Sequence, residues 1–147
     1  MANKDVATGL NNTLANAIVT YQKLHHYHWE VAGETFFDLH TKFEELYDKY
    51  KLIVDDVAER ILTVGGKPLA TLSEAIELAT VKEDPKTPSA REMASRVLED
   101  FMTQVSQMRS VIKIAEETGD RGTTNLLDGI SDGLEKDAWM LRAYLAD

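Results

Sequence analysis

Cysteine is absent from this chain. That excludes disulfides, thiolate metal ligands and thiol nucleophiles, and it fits a reducing cytoplasm. Proline occurs only 3 times and glycine 8 times, so long stretches run without a helix breaker. No apolar run approaches the length of a membrane span. Met1 to Leu10 holds no basic segment followed by an apolar one, so no signal peptide is expected. Basic charge is scarce: 16 Lys and Arg against 25 Asp and Glu leave a net charge of -9. Such a surface repels phosphate backbones and attracts cations. Lys4 is the only base in the first twenty residues, and Tyr144-Leu-Ala-Asp147 adds none at the other end. Direct DNA binding would need a local basic patch, and neither end supplies one.

What is present is helical periodicity. With 147 residues, 44% of them hydrophobic, the chain has room for one domain over 1–147 with its own core. Val6, Leu10, Leu14, Ala17, Tyr21, Leu24 and His28 recur at spacings of three and four, which predicts a helix from Val6 to Trp29. Gly33 interrupts it, and Thr35 with Asp38 reads as a capping pair. A second stripe, from Phe36 through Leu39, Phe43, Leu46, Tyr50, Val54, Val57 and Ile61, predicts a helix to Val64, stopped by Gly65-Gly66. A connection of about twenty residues follows, long for a hairpin. Within it Thr71-Leu-Ser-Glu74 reads as a capping box opening a short helix, and Val81 to Lys86 as an exposed loop. Thr87-Pro88 predicts the start of a third long helix with Ala94, Val97, Phe101, Val105, Met108, Ile112 and Ala115 inward. A fourth begins at Thr123 or Thr124 and carries Leu127, Ile130, Leu134, Ala138 and Leu141. Two helices, a long crossover and two more helices describe an all-α, ferritin-like four-helix bundle.

The histidines and carboxylates divide into two groups. His40 and Glu44 are four residues apart on one helix face, as are Asp55 and Glu59. From Glu44 to Asp55 is roughly 16 Å along the axis, at 1.5 Å per residue. A carboxylate–metal bond spans about 2 Å, so both pairs cannot hold one ion from the same helix. His28 ends the first helix and His40 begins the second, so a tight hairpin joins them. Each chain thus offers one half-site of His28, His40 and Glu44, and another of Asp55 and Glu59. A two-fold axis across antiparallel second helices would complete two composite sites per dimer. The nitrogen and carboxylate donors suit Fe(II), Zn(II), Mn(II) or Co(II), and few ligands per metal leave positions open for an oxidant. Glu-x-x-His, the pattern of a di-iron site inside a bundle, is missing, because all four histidines precede residue 41.

Other residues have blander readings. His25 is expected on a helix surface or at an interface, His26 and Asp56 in solvent, and Trp29 in packing. Arg60 could orient Glu59.

His25-x-x-His28-Trp29, Val31-x-Gly33, Phe37-x-Leu39-His40-x-x-Phe43-Glu44-Glu45-x-Tyr47 and Asp55-x-x-Ala58-Glu59-Arg60 together resemble the Dps mini-ferritins. The resemblance implies a hollow dodecameric shell of twelve subunits. It implies oxidation of Fe(II), by hydrogen peroxide in preference to oxygen, and storage of ferric mineral inside. It implies His28 and His40 as ligands from one chain, with Asp55 and Glu59 from its dimer mate and Glu44 near the second iron. Glu44, Glu45 and Asp48 would then serve mineral nucleation. Asp120, Asp128 and Asp132 are candidate pore residues. Zn or Co could substitute at the iron site. Many relatives bind DNA through lysine-rich tails, which this chain lacks. A DNA-compacting protein with secondary metal binding is the alternative function, and a redox-inert Zn(II) shell a third.

Overall fold

The computed structural model describes residues 4–146. Met1 to Asn3 and Asp147, on which the expectations about the two ends partly fall, lie outside the described residues. Five helices follow in order: α1 Lys4–Glu30, α2 Phe36–Thr63, α3 Leu72–Leu78, α4 Ala90–Glu117 and α5 Arg121–Leu145. No strand occurs among the described residues. The fold is all-α and ferritin-like, as the periodicity predicts.

Contacts fix the directions. His28 meets His40 and Tyr21 meets Tyr47, so α1 and α2 are antiparallel. Thr13 bonds Gln107 and Lys23 bonds Asp100, so α1 and α4 are antiparallel too. Arg109 pairs with Glu135, and Arg91 reaches the carbonyl of Leu145, so α4 and α5 run oppositely. Hence α2 and α4 are parallel, and the crossover must travel the length of the bundle.

The predicted stripes are the core. Leu10, Leu14, Leu24, Phe43, Tyr50, Ile61, Phe101, Met108 and Leu127 are all fully or almost fully buried. Each removes most of its side chain from water, a gain of roughly 1.5–3 kcal/mol apiece. The bundle centre also holds a polar layer. Tyr50 donates its hydroxyl to Gln104 Oε1 (2.9 Å), and Gln104 Nε2 donates to Thr20 Oγ1 (3.0 Å). Beside it Lys23 Nζ lies 2.7 Å from Asp100. Burial pushes the Tyr50 phenol well above its ordinary range and lifts Asp100 despite its lysine. These groups satisfy one another, which agrees with the missing Glu-x-x-His pattern.

Gly9 sits where α1 and α4 approach. A Cβ there would lie 2.6 Å from Val111 Cγ2. A helical valine has essentially one rotamer, so it cannot swing away. Gly9→Ala should therefore destabilise by about 1–3 kcal/mol despite alanine's better helix propensity. Urea unfolding of the variant against the parent reads this directly, and an unchanged midpoint would refute it.

Several local expectations are corrected. Thr35 makes no side-chain cap bond, because its backbone (φ -101°, ψ 20°) is not extended; its hydroxyl instead accepts from Tyr144 (2.8 Å). α4 starts after Ser89, whose Oγ accepts from Glu92 N, while Thr87 donates to Glu30. α5 starts at Arg121, capped by Asp120 rather than by a threonine. The Thr71–Glu74 capping box is formed as expected. The stretch from Val81 to Lys86 is a loop, exposed at Lys82, Glu83, Pro85 and Lys86 as expected, but it is anchored. Val81 is buried, and side chains of α1 hold the crossover in sequence order. Asn11 binds Lys67 and Leu69, Asn16 binds Thr80 and Val81, Lys23 binds the Lys82 carbonyl, and Tyr27 binds Asp84.

Candidate metal centre

The α1–α2 hairpin builds the nitrogen half-site. His28 Nδ1 donates to the His40 carbonyl (2.7 Å), and His40 Nδ1 donates to the His28 carbonyl (2.8 Å). A carbonyl only accepts, so each Nδ1 carries a proton, and Nε2 is the atom that can offer a lone pair when the ring is neutral. The rings stack with centroids 3.8 Å apart and planes 13° apart. The Nδ1 atoms are thus committed to the backbone, and the Nε2 atoms are left outside this reciprocal pair of bonds. A backbone carbonyl behind the ligating imidazole is the usual way a protein orients a metal-binding histidine. Glu44 Oε1 lies 3.7 Å from His28 Nε2. His28 is buried, while Glu44 remains exposed.

Tyr47 is the residue that sequence reasoning left without a role. It lies one turn beyond Glu44, its ring edge-on to His28 (5.2 Å) and stacked on His25 (3.8 Å). Desolvation, then the nearby Glu44 and Asp48, raise its phenol. Its spacing of seven from His40 placed it on the right face. His25 is held by this stack and by its Nδ1 bond to the Tyr21 carbonyl (2.8 Å), a packing role. His26 is not simply solvated, for it bonds Glu30 at 2.7 Å. Trp29 is not packed within the chain: it is 63% exposed.

The carboxylate half-site lies on α2, three turns away. Asp55 and Glu59 bring ligand oxygens within 4.8 Å of one another and of Asp56. Asp56 is exposed as expected, yet it belongs to this trio. Among the described residues it is the one cluster of three His, Asp or Glu donors that close. The structure therefore gathers His28, His40 and Glu44 at one end of α2, gathers Asp55 and Glu59 at the other, and does not join the two sets.

Glu45 and Asp48 are exposed on the same helix, and Glu45 is 3.6 Å from Lys42. Arg60 does not reach Glu59. Its Nε donates to Thr123 Oγ1 (3.0 Å) and its Nη2 to Asp120 Oδ1 (2.7 Å). Burial works against ionising Asp120, but bonds from Thr123 and Arg60 win and hold its carboxyl below the usual range. Asp120 is thus a helix cap and an ion-pair partner within the chain. Asp128 and Asp132 are exposed.

The ferritin-like domain family matches residues 7–147. The DNA protection during starvation protein of Brevibacillus brevis is 46% identical over 140 residues, covering 95% of this chain and 94% of the relative. This chain belongs to the Dps family of ferritin-like proteins. Dps from Staphylococcus aureus superposes with a TM-score of 0.97 at 42% identity, covering 99% of this chain and 98% of that one. The Vibrio cholerae Dps structure, described as a member of a broad superfamily of ferritin-like diiron-carboxylate proteins, superposes at 0.94 with 38% identity, over 97% of this chain and 90% of that one. No helix among the described residues is long and apolar enough to cross a membrane.

Proposed function

We propose that this Dps protein is an iron-storing ferroxidase whose sites are shared between two copies. His28, His40 and Glu44 of one copy face Asp55 and Glu59 of another across a two-fold axis, and twelve copies enclose the mineral. The observation that carries the reading is the pair of half-sites: two imidazoles with Nε2 free at one end of α2, and a carboxylate cluster roughly 16 Å along the same axis. Antiparallel pairing of α2 with its symmetry mate superimposes one set on the other.

Iron is the substrate. Two Fe(II) give up one electron each, the O–O bond of hydrogen peroxide takes both, and two protons complete two waters. The chain supplies binding and orientation: carbonyl-locked imidazoles donate nitrogen, carboxylates donate oxygen and balance charge. Taking both electrons at one place avoids release of a hydroxyl radical. Fe(III) then hydrolyses on an acidic inner wall to which Glu44, Glu45 and Asp48 contribute. Zn(II) or Co(II) would compete for the same donors. Anaerobic Fe(II) loading followed by peroxide is the test. Consumption of one peroxide per two Fe(II), with little radical trapped, is expected. Oxidation no faster than Fe(II) in buffer would leave a redox-inert shell instead.

The alternative, DNA compaction, finds little support. The chain is acidic, and several of its basic side chains, Lys23, Lys49, Arg60, Arg96 and Arg109, each pair with a carboxylate. A gel shift with metal-free protein at neutral pH and physiological salt should show no retarded DNA. A salt-sensitive shift would reverse this.

A further inference from the structure

Arg60 directly follows a carboxylate of the metal centre, yet all its polar contacts point away, to α5. It donates to Thr123 (3.0 Å) and to Asp120 (2.7 Å). Its guanidinium is also pressed onto Gly122, where an added Cβ would meet three of its atoms at 2.4–2.5 Å. The glycine makes room for the arginine.

Elsewhere α2 and α5 stand apart. A groove of about 490 Å3, floored by Gly129 and Gly133 and rimmed by Leu52, Asp56 and Asn125, separates them. Ion pairs close its ends: Lys49 with Asp137 at one (2.6 Å), Arg60 with Asp120 at the other. Glu59 sits one turn before α2 stops at Thr63. The last turn of a helix lacks its full hydrogen-bond complement and frays unless something holds it. Here Gly65, at φ 86°, and Gly66 close the backbone of that turn by donating to the Leu62 (3.0 Å) and Ile61 (2.8 Å) carbonyls, and Arg60 is the side chain that ties the capped end to α5.

We propose that Arg60 is a positioning residue for the carboxylate half-site: it fastens the end of α2 to the start of α5 and so holds Glu59 in place to bind metal. This rests on the reading of Asp55 and Glu59 as iron ligands. A forked guanidinium grips the Asp120 carboxylate and the Thr123 hydroxyl through two different nitrogens held in one plane, a fixed geometry that a lysine ammonium lacks. The tether acts without touching the ion.

The test uses the assembled, metal-free protein with Co(II) as probe, read by calorimetry and by the visible spectrum. Four variants break the tether: Arg60→Ala and Arg60→Lys from one side, Asp120→Asn and Gly122→Ala from the other. Asp120→Asn keeps a good helix cap, and Gly122→Ala leaves α2 untouched, so these decide the matter even if Arg60→Ala fails to fold. Co(II) affinity should fall about tenfold, the scale of a lost outer-sphere partner. The spectrum should change, Arg60→Lys should recover part of the affinity, and backbone amides of residues 63–66 should exchange faster. The Arg60→Ala/Asp120→Asn double variant should be no worse than either single one. Wild-type affinity and spectrum in Asp120→Asn and Gly122→Ala would overturn the proposal while Asp55→Ala still abolishes binding. Should Asp55→Ala itself bind Co(II) normally, the metal-site reading falls and this inference with it.

Discussion

Replacing Asp55 and Glu59 together by alanine should slow peroxide-driven Fe(II) oxidation by about 100-fold or more while the protein still folds and assembles. The magnitude follows from chemistry. Loss of a residue behind a metal ligand already costs about 10–100-fold. Removing two ligands themselves takes away both the charge that attracts Fe(II) and the oxygens that hold it. The structure predicts no matching loss of stability. Both side chains are exposed and neither enters an ion pair or hydrogen bond among the described residues; the Glu59 backbone carbonyl accepts from the Thr63 hydroxyl (2.8 Å), and alanine keeps it. Surface changes of this kind stay within about 0.5 kcal/mol, and alanine favours the helix. Stopped-flow absorbance of Fe(III) gives the initial rate, and native mass spectrometry gives the assembly. An unchanged rate in an intact particle would refute the assignment. The same readings separate Asp56 from its neighbours. As a member of the trio but not of the assigned ligand pair, Asp56→Ala should cost far less than the double variant.

The helices and their inward faces were legible because burial imposes a period. Every apolar position named along α4, from Ala94 to Ala115, is buried, since a wrong register would put leucine-sized groups in water at a cost of kilocalories. Caps were legible only where two signals agreed. Thr71-x-x-Glu74 forms its box, whereas Thr87-Pro88 misled because proline is acceptable both in a first turn and in the extended chain before one. Ser89-x-x-Glu92, two residues further along, held the better signal, because the Thr87 hydroxyl is taken by a competing acceptor, Glu30. The crossover was illegible for a different reason. Asn11, Asn16, Lys23 and Tyr27 hold it by hydrogen bonds to backbone and to Asp84, and such bonds leave no periodic trace in composition.

The two half-sites were legible as residue types at fixed spacing, because an α-helix turns spacing into distance. What spacing could not reveal was the reciprocal clasp of His28 and His40, which depends on how closely the hairpin folds back. It was equally silent on Arg60. A charge next to Glu59 reads as its partner, but adjacent residues on a helix point about 100° apart. The guanidinium accordingly serves α5 instead. Gly122 was the overlooked signal: a glycine in the first turn of a helix marks a close approach, and here the thing approaching is Arg60.

Two inactive variants should restore activity to each other when they are unfolded and reassembled together. One carries alanine at His28 and His40 and keeps its carboxylates; the other carries alanine at Asp55 and Glu59 and keeps its imidazoles. A mixed pair has two composite sites. One combines both damaged halves and is dead, while the other combines both intact halves and works. Random pairing of equal amounts makes half the pairs mixed, so about one quarter of all sites should be active. The rise from near zero is large, and no arrangement drawing all its donors from one copy can produce it. Mixing the folded variants without reassembly supplies the control, because intact pairs do not exchange halves. Reassembled mixtures that stay as inactive as their parents, with mixed particles verified by mass, would mean the imidazoles and carboxylates never share an ion. Both results follow from one distance: Asp55 comes 11 positions after Glu44 along α2, and a metal ion is far smaller than the gap.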